Sequence, residues 1–274
     1  MAFDITLSPA TSDFFISPGN SYTKAFNITN NSESLVILNS SVEAWQPKGN
    51  DGSVVYTSKF TDNSVIFSLN NSDLILGQPF VIKPKETRQL VLKIATSKST
   101  LIKDHYYTFF VTQQSEFQNN AKIGAHLIFS TQKPSNISLK IKEFKISPLI
   151  KDCLLKPIYF TGLIENNNLL YSKIIGKLNI SKNNLTIKEY TLSPDTVLAS
   201  NKRTIRCIND KAEVIPCALN TPLWPGVYKT TISLDQEKPV SFETGFVVFP
   251  YSIVFVILIT ISVLFFYRRL FHRP

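Results

Sequence analysis

An uninterrupted apolar segment near the C-terminus constrains this chain more than any other feature. Residues 246–267 read FVVFPYSIVFVILITISVLFFY and carry no charged side chain. At about 1.5 Å of rise per residue, a helix of this length extends about 33 Å, enough to cross a hydrocarbon core of about 30 Å. A buried core helix is rarely this long without a polar face. The segment therefore predicts a single transmembrane helix over residues 246–267.

Positive charge follows the apolar segment. The tail 268–274 reads RRLFHRP and contributes Arg268, Arg269 and Arg273. Short, positively charged flanks tend to stay in the cytoplasm, and on the other flank charges of both signs nearly cancel. These three arginines are the predicted topology determinants. They indicate a single-pass cell-membrane protein with a basic cytoplasmic tail and the bulk of the chain outside the cytoplasm.

The start of the chain conflicts with this topology. A protein of this orientation needs a signal peptide with a basic start and an apolar run of about 7–15 residues. The first residues, MAFDITLSPATSDFF, have neither. Either a signal peptide has been removed, or the C-terminal segment inserts after translation as a tail anchor, which would leave both domains in the cytoplasm. We favour the first interpretation.

Period-two alternation recurs throughout the rest of the chain. Leu90, Leu92 and Ile94 alternate with other side chains, and similar segments are separated by short turn signals such as Ser17-Pro18-Gly19-Asn20. Outside the C-terminal segment, the i, i+3, i+4, i+7 pattern of an amphipathic helix does not persist for three turns. Short strands with frequent turns are typical of β-sandwiches. We predict an all-β fold, two tandem immunoglobulin-like β-sandwiches followed by a single C-terminal transmembrane helix.

A polar, proline-containing break over residues 132–136 separates two series of strands. It predicts one sandwich over residues 1–132 and a second over residues 137–245. Residues 103–113 and 225–235 each place a Tyr near the start of a penultimate strand. This parallel indicates a structural duplication. The last strand of the second sandwich is expected to lead almost directly into the membrane.

Three cysteines are present, Cys153, Cys207 and Cys217. Cys207 and Cys217 flank a short polar excursion between two strand-like pieces, so a disulfide between them would close a hairpin outside the cytoplasm. Reduced thiols are an equal alternative at this point. Cys153 would be free or would take one of the other two as its partner, because spacing does not decide the pairing.

Catalytic and metal-binding patterns are missing. The three histidines, His105, His126 and His272, are far apart in sequence, and no CxxC, HExxH, Walker loop or GxGxxG motif occurs. The segment KGNDGS around Asp51 lacks the alternating acidic ligands of a calcium loop and predicts a hairpin turn. We therefore expect no enzymatic activity, no metal and no cofactor.

Charge and aromatic residues suggest no further ligand. The net charge is +9, but the lysines are scattered in the manner of solvated strand faces, which argues against nucleic acid as a partner. Attraction to an anionic lipid or cell-wall polymer remains an alternative. For both tryptophans, Trp45 and Trp224, we expect a buried core position rather than an exposed binding position.

Several strand ends and turns resemble those of a bacterial surface family. The first half has PG before a strand that ends in FNITNNSES and later has VIKPKETRQLVLKI. It resembles the N-terminal immunoglobulin-like domain of the WxL-interacting proteins and, more loosely, PapD-like and major-sperm-protein-like sandwiches. Asn30 and Ser32 match the v-x-N-x-S strand end of these families, and Pro84 to Thr87 match their K-P-x-E/G-T turn.

The second half is similar to the following domain of related exported proteins in IYFTGLIENNN, VLASNKRTI, PGVYKTTISL and FETGFVVFP. The resemblance implies peptidoglycan binding for the first domain and host-surface ligands for the second. No residue pattern that would carry either activity stands out. The excursion between Cys207 and Cys217 and the missing signal peptide depart from the family pattern.

Three functions are compatible with these features. The leading hypothesis is a non-enzymatic, membrane-anchored surface protein for adhesion or scaffolding, which binds cell-wall polymer or a surface or exported protein and contacts the membrane through residues 246–267. The first alternative is a strand-donating chaperone or assembly scaffold for exported subunits, which acts by β-augmentation. The second is a tail-anchored cytoplasmic adaptor of the major-sperm-protein type.

Overall fold

A computed structural model describes residues 4–57, 62–113, 121–133, 139–153 and 157–271. These residues form two compact units. The first comprises the described part of Met1–Ser135 with Asn168–Tyr171, and the second comprises the described part of Asn136–Asn167 and Ser172–Pro274. Of the break predicted at 132–136, residues 134–136 lie outside the described residues.

The described residues of the first unit form ten strands. They are β1 (Ile5–Ser8), β2 (Thr11–Phe15), β3 (Ser21–Asn30), β4 (Val36–Lys48), β5 (Ser53–Tyr56), β6 (Val65–Leu69), β7 (Phe80–Ile82), β8 (Thr87–Thr96), β9 (Asp104–Gln113) and β10 (Lys122–Ser130). One sheet has the order β1-β3-β8-β6. The other has the order β2-β10-β9-β4-β5, with β7 paired to β4.

The second unit contains the remaining strands and the helix. They are β11 (Leu139–Ser147), β12 (Ile150–Lys151), β13 (Ile158–Asn166), β14 (Ser172–Lys173), β15 (Gly176–Lys182), β16 (Leu185–Leu192), β17 (Thr196–Val197), β18 (Asn201–Thr204), β19 (Cys207–Ile208), β20 (Val214–Ile215), β21 (Ala218–Leu219), β22 (Gly226–Leu234), β23 (Val240–Val248) and α1 (Tyr251–Phe271). The larger sheet has the order β12-β23-β22-β15-β16-β19-β20, and the smaller has β11-β13-β18 with β21 paired to β13. The short strands β14 and β17 pair separately.

Alternation along the strands builds both cores. Leu90, Leu92 and Ile94 on β8 are fully buried, as are Leu178 and Ile180 on β15. Successive side chains of a strand point to opposite faces, so one face of each strand enters the space between the sheets while the other faces outward. The predicted all-β fold with two sandwiches and one C-terminal helix is confirmed.

Both units repeat the same opening. In the first, a cis Ser8–Pro9 bond joins β1, antiparallel to β3, to β2, which runs parallel to the last strand β10. In the second, a cis Ser147–Pro148 bond joins β11, antiparallel to β13, to β12, which runs parallel to the last strand β23. The first strand of each unit therefore passes from one sheet to the other.

A buried asparagine ends the third strand of each unit. Asn30 closes β3, and its amide nitrogen donates to the carbonyl of Lys83 at 3.0 Å, just before β8. Asn166 closes β13 and donates to the carbonyl of Val197 at 3.0 Å, shortly before β18. Since β3 pairs with β8 and β13 with β18, the two asparagines occupy equivalent corners. This correspondence supports the duplication expected from sequence.

The start of the apolar helix was predicted wrongly. Phe246 and Val248 are buried residues of β23, paired with Tyr228 and Gly226, and α1 begins only at Tyr251. Pro250 marks the change, because proline lacks an N–H and restrains the residue before it to extended geometry. The alternation of inward residues thus continues through the first part of the apolar run.

Helix α1 has the length and composition of a membrane span. Its window Tyr251–Arg268 has a mean hydropathy of 2.1, and none of this window is buried against the rest of the chain. At about 1.5 Å per residue, its 21 residues extend about 31 Å. Only Phe249 and Pro250 separate β23 from α1, which confirms that the last strand leads almost directly into the apolar helix.

Candidate functional site: an edge groove on the first sandwich

Strand β6 lies at the edge of its sheet. Its neighbour is β8 on one side, and no other described strand pairs with it. Its sequence, VIFSL, is uncharged and five residues long. Exposed edges of this kind are usually shortened or charged, because their free backbone groups can pair with another chain. By contrast, the edge strand β11 in the second unit reads LKIKEFKIS and carries four charged residues.

The register fixes which backbone groups of β6 are free. The amide of Asn70 donates to the carbonyl of Val91 at 2.7 Å, and the amide of Ser97 donates to the carbonyl of Ser64 at 2.8 Å. Residues of an antiparallel pair alternate between bonded and non-bonded positions. The even-numbered residues of β6 therefore bond to β8, and the N–H and C=O of Phe67 are directed away from it.

An apolar groove of about 440 Å³ runs beside this edge. Its walls come from both sheets: Val42 and Ala44 on β4, Tyr107 on β9, and Val65 and Phe67 on β6, with Leu76 from the segment that follows. The rings of Phe67 and Tyr107 meet edge to face at 4.7 Å. On the outer face, the Ile66 side chain is 64% exposed. The groove is therefore an opening between the two layers of the sandwich.

A charged cluster lies at one end of the groove. The Asp62 carboxylate accepts a hydrogen bond from the Ser64 amide at 3.1 Å and lies 3.6 Å from the Lys103 ammonium and 3.7 Å from the His105 ring. Partial burial opposes the charge of Asp62, but the Ser64 hydrogen bonds and the Lys103 charge outweigh it and lower the pKa of Asp62. Burial, reinforced by Lys103, lowers the pKa of His105. Asp62 is therefore an anion beside a neutral imidazole at neutral pH.

Tyr107 stays neutral over the same range. Burial, with a smaller contribution from the Asp62 charge, raises the pKa of Tyr107 to about 12. The groove consequently offers aromatic and aliphatic surface together with backbone hydrogen-bonding groups. This combination suits an extended peptide, whose backbone can pair with β6 while alternate side chains enter the groove.

The residues that carry the family resemblance have a structural role. The Asn30 amide oxygen accepts hydrogen bonds from the amide and hydroxyl of Ser32, at 3.1 and 2.7 Å. Its amide nitrogen reaches the carbonyls of Ser34 and Lys83. In the turn around Pro84–Thr87, the Glu86 carboxylate accepts from the Lys83 amide at 2.7 Å. These contacts tie two turns together and form no open site.

Cys207 and Cys217 are joined by a disulfide bond, with their α-carbons 4.9 Å apart. The bond closes the excursion that contains β19 and β20. Cys153 is a buried free cysteine, which leaves it out of the pairing. Among the residues that the structure describes, no group of three or more His, Cys, Asp or Glu side chains is arranged to hold a metal ion.

The two tryptophans differ in their surroundings. Trp45 is buried, as expected, and its indole N–H donates to the carbonyl of Tyr107 at 2.8 Å. The expectation of a core position was wrong for Trp224, which is 83% exposed. Trp224 stands between Leu223, which enters the core, and Pro225, which keeps this segment out of the regular strand. Its carbonyl accepts a hydrogen bond from the Tyr228 hydroxyl at 2.8 Å.

Two of the three predicted topology determinants lie within the described structure. Arg268 and Arg269 lie in the last turns of α1. Arg273 lies outside the described residues. The backbone thus continues as a helix through the first two arginines, and their influence on orientation stays a prediction.

The hairpin predicted at KGNDGS is confirmed. Lys48 of β4 pairs with Ser53 of β5, and Gly49 and Gly52 both have positive φ. The Asp51 carboxylate accepts hydrogen bonds from the Ser53 amide and hydroxyl, each at 2.9 Å. Its oxygens therefore hold the turn in place.

No protein-family model matches the chain, and no curated protein matches it. Several solved structures are similar. The class 5 fimbriae chaperone CfaA aligns with a TM-score of 0.44 and 13% identity, over 88% of this chain and 98% of that one. A chain from the Salmonella enterica complex of SafA pilin with the SafB chaperone aligns with a TM-score of 0.42 and 11% identity, over 89% of this chain and 98% of that one. The PapD-like domain 7 of human CEP192 aligns with a TM-score of 0.33 and 9% identity, over 48% of this chain and 87% of that one.

These likenesses concern the fold alone. The PapD-like part of the predicted resemblance and membership of the WxL-interacting proteins both stay predictions. Sequence reasoning missed the groove itself. The alternation of Val65, Phe67 and Leu69 is typical of a strand, but the place of that strand at a sheet edge depends on which distant segments pair with it.

Proposed function

We propose that the chain is a non-enzymatic, membrane-anchored binding protein whose first sandwich captures an extended segment of another protein along β6. The partner segment adds a strand to the β6 edge and places alternate apolar side chains in the groove. The chemistry is that of the predicted assembly scaffold, here in a protein that α1 holds at the membrane. Cell-wall polymer, which the sequence resemblance implied as a partner, stays a prediction.

The observation that carries this proposal is the coincidence of a free edge and an apolar groove. The backbone of Phe67 is directed away from β8, and the apolar lining contains Val42, Leu76 and Tyr107. An added strand needs both features, since main-chain hydrogen bonds provide affinity and side-chain pockets provide specificity. An uncharged edge also leaves pairing unopposed.

The second unit supports an extracytoplasmic location. A disulfide such as Cys207–Cys217 persists in oxidising compartments and is rare in the cytoplasm. Combined with the apolar helix α1, it supports an extracytoplasmic position for both sandwiches. The partner would accordingly be an exported or surface protein. The cytoplasmic adaptor that the sequence left open is not favoured.

Binding is best tested with selected peptides on the full-length protein in detergent micelles. Peptides from a random display library would be compared on wild type, Ile66→Lys and the matched control Ile37→Lys. Ile37 is also an exposed strand residue of the first unit, but it lies on β4 outside the groove lining. We expect Ile66→Lys to weaken binding by about tenfold or more, equivalent to about 1.4 kcal/mol, and Ile37→Lys to leave it unchanged.

Backbone pairing has a separate signature. Single-residue hydrogen exchange should show the Phe67 amide becoming protected when a selected peptide binds, while the Ile66 amide, already bonded to β8, changes little. Methylating alternate amide nitrogens of the peptide should abolish binding. A library that yields no binders, or binders that are indifferent to Ile66→Lys, would contradict the proposal.

A further inference from the structure

We propose that the second sandwich rests on the bilayer through an apolar surface next to α1, in addition to the span itself. We call this surface the membrane-proximal patch. Its members are Leu149, Ile150, Trp224, Val227, Val247 and Phe249, all of them exposed. The membrane-proximal patch would contact lipid at the depth where the headgroups meet the acyl chains. The inference is independent of the β6 groove and requires only that α1 spans a membrane.

Three patch residues form a row across neighbouring strands. Ile150 on β12 is in register with Val247 on β23, which is in register with Val227 on β22. Directly opposite residues share a face of the sheet. This face is the outer one, because the next residue, Val248, enters the core. The exposed fractions of Ile150, Val247 and Val227 are 62%, 40% and 70%, so the row is an exposed apolar stripe.

Trp224 lies at the end of the sheet from which the chain enters α1. Gly226 pairs with Val248 at the end of β23, and β22 is antiparallel to β23. Trp224 precedes Gly226 by only two residues and therefore belongs to the same end of the sheet as Val248. Tryptophan is enriched at membrane interfaces, since its ring is apolar and its N–H can bond to headgroups or water.

Backbone contacts hold the end of β23 beside β12. The amides of Val247 and Phe249 donate to the carbonyls of Leu149 and Lys151, at 2.9 and 2.8 Å. The second of these bonds continues the pairing of β12 with β23 beyond the last residue of β23. The segment that carries Leu149 and Ile150 therefore stays beside the chain as it leaves the sandwich.

A buried carboxylate completes this junction. The side chain of Asp152 accepts a hydrogen bond from the amide of Ser252, in the first turn of α1, at 2.7 Å. A carboxyl oxygen that accepts from an amide in the first turn caps the N-terminus of the helix, where the helix dipole favours such an acceptor. With two residues between β23 and α1, the patch cannot move far from the point where the helix enters the membrane. Val247 is four residues before Tyr251, or about 13 Å of extended chain.

Continuity with the span therefore selects lipid as the occupant. Exposed apolar patches usually mark an interaction surface, and this one adjoins a helix whose lateral surface is also apolar. Burying each side chain of the row in lipid would contribute to the free energy of membrane binding in proportion to its apolar area. This contribution does not depend on the charge of the lipid. Neutral and anionic bilayers should consequently be bound alike.

Trp224 provides the test without altering the fold. The full-length protein is reconstituted in phosphatidylcholine vesicles that contain lipid brominated close to the headgroup end of the acyl chains. Subtracting the emission of Trp224→Phe from that of wild type isolates Trp224 from the buried Trp45. We expect the brominated lipid to quench most of the Trp224 emission, with or without added phosphatidylglycerol.

Two variants sharpen the result. Val227→Lys places a charge in the row and should reduce quenching. Ile175→Lys should not, because Ile175 is similarly exposed but precedes β15 at the opposite end of the same sheet. Emission typical of a water-exposed indole, with no quenching, would overturn the proposal. So would blue-shifted but unquenched emission that depends on the number of copies per vesicle, which would identify a second copy of the chain as the occupant.

Discussion

The two sandwiches share a strand plan and differ at their edges. Both change sheets at a Ser-Pro bond, and both end their third strand in a buried asparagine. The larger sheet of the second unit ends in two-residue strands, β12 and β20, whereas the first unit leaves the uncharged five-residue β6 at an edge. Short or charged edges resist pairing with other chains. On the proposed function, the uncharged edge of the first unit binds a partner and the second unit connects the chain to the membrane.

The largest expected effect comes from the cores. Phe109 in the first unit and Phe246 in the second are almost completely buried, and Phe246 stacks on Tyr228 at 5.2 Å. Truncation to alanine should cost about 3–5 kcal/mol in either case, because a cavity remains. Hydrogen exchange of the full chain in micelles and denaturant should locate the largest loss in the unit that contains the substitution. Equal losses in both units after either substitution would show that the two do not unfold separately.

Reduction should distinguish the units next. The disulfide Cys207–Cys217 closes a loop with a sequence separation of 10, and such a loop is worth roughly 2–3 kcal/mol. A reducing agent, or the double substitution C207S/C217S, should destabilise the second unit by about this amount. Exchange in the first unit, which contains no cysteine, serves as the internal control. If the second unit is unchanged on reduction, the disulfide does not contribute to its stability.

Mild acid should have a smaller effect, in the opposite unit. Burial lowers the pKa of both His105 and His126, so each binds a proton more readily when unfolded. The two histidines do not change the free energy of unfolding at a pH above about 6.5, the pKa of histidine in the unfolded chain. As the pH falls below this value, protons bind to the unfolded chain and destabilise the first unit. Burial raises the pKa of Asp104, so the folded first unit binds this proton more readily than the unfolded chain. Asp104 therefore opposes the loss of stability, at the lower pH where carboxylates titrate.

The second unit contains no histidine among its described residues. Unfolding midpoints measured in denaturant between about pH 7 and pH 5.5 should therefore fall more for the first unit. His105→Phe should reduce that dependence, because the His105 ring already stacks on Phe129 at 4.9 Å in an apolar setting. A slope that His105→Phe leaves unchanged would assign the acid sensitivity to other groups.

Much of the fold could be predicted because it depends on local pattern. The alternation on β8 follows from the two-residue period of a strand, and the span follows from length and hydrophobicity. The start of α1 was misplaced because the end of β23 and an apolar helix are built from the same types of apolar side chain. Pro250 was the available signal for the boundary.

The candidate surfaces could not be predicted in the same way. Whether β6 is an edge, and whether Trp224 is buried, depends on pairings between distant segments. For Trp224 the two flanking prolines, Pro222 and Pro225, did indicate an irregular segment that has no inward-facing strand position. No comparable local signal distinguishes an edge strand from a central one, since both alternate.

Both sandwiches are proposed to lie outside the cytoplasm, and labelling of an exposed cysteine tests this directly. Cys207 and Cys217 are buried, so the test uses intact cells carrying the variant Cys153→Ser with Ile175→Cys, a substitution at an exposed position of the second unit. We predict that a membrane-impermeant thiol reagent labels position 175 without permeabilisation. Labelling that requires permeabilised cells would contradict the account and favour a cytoplasmic adaptor.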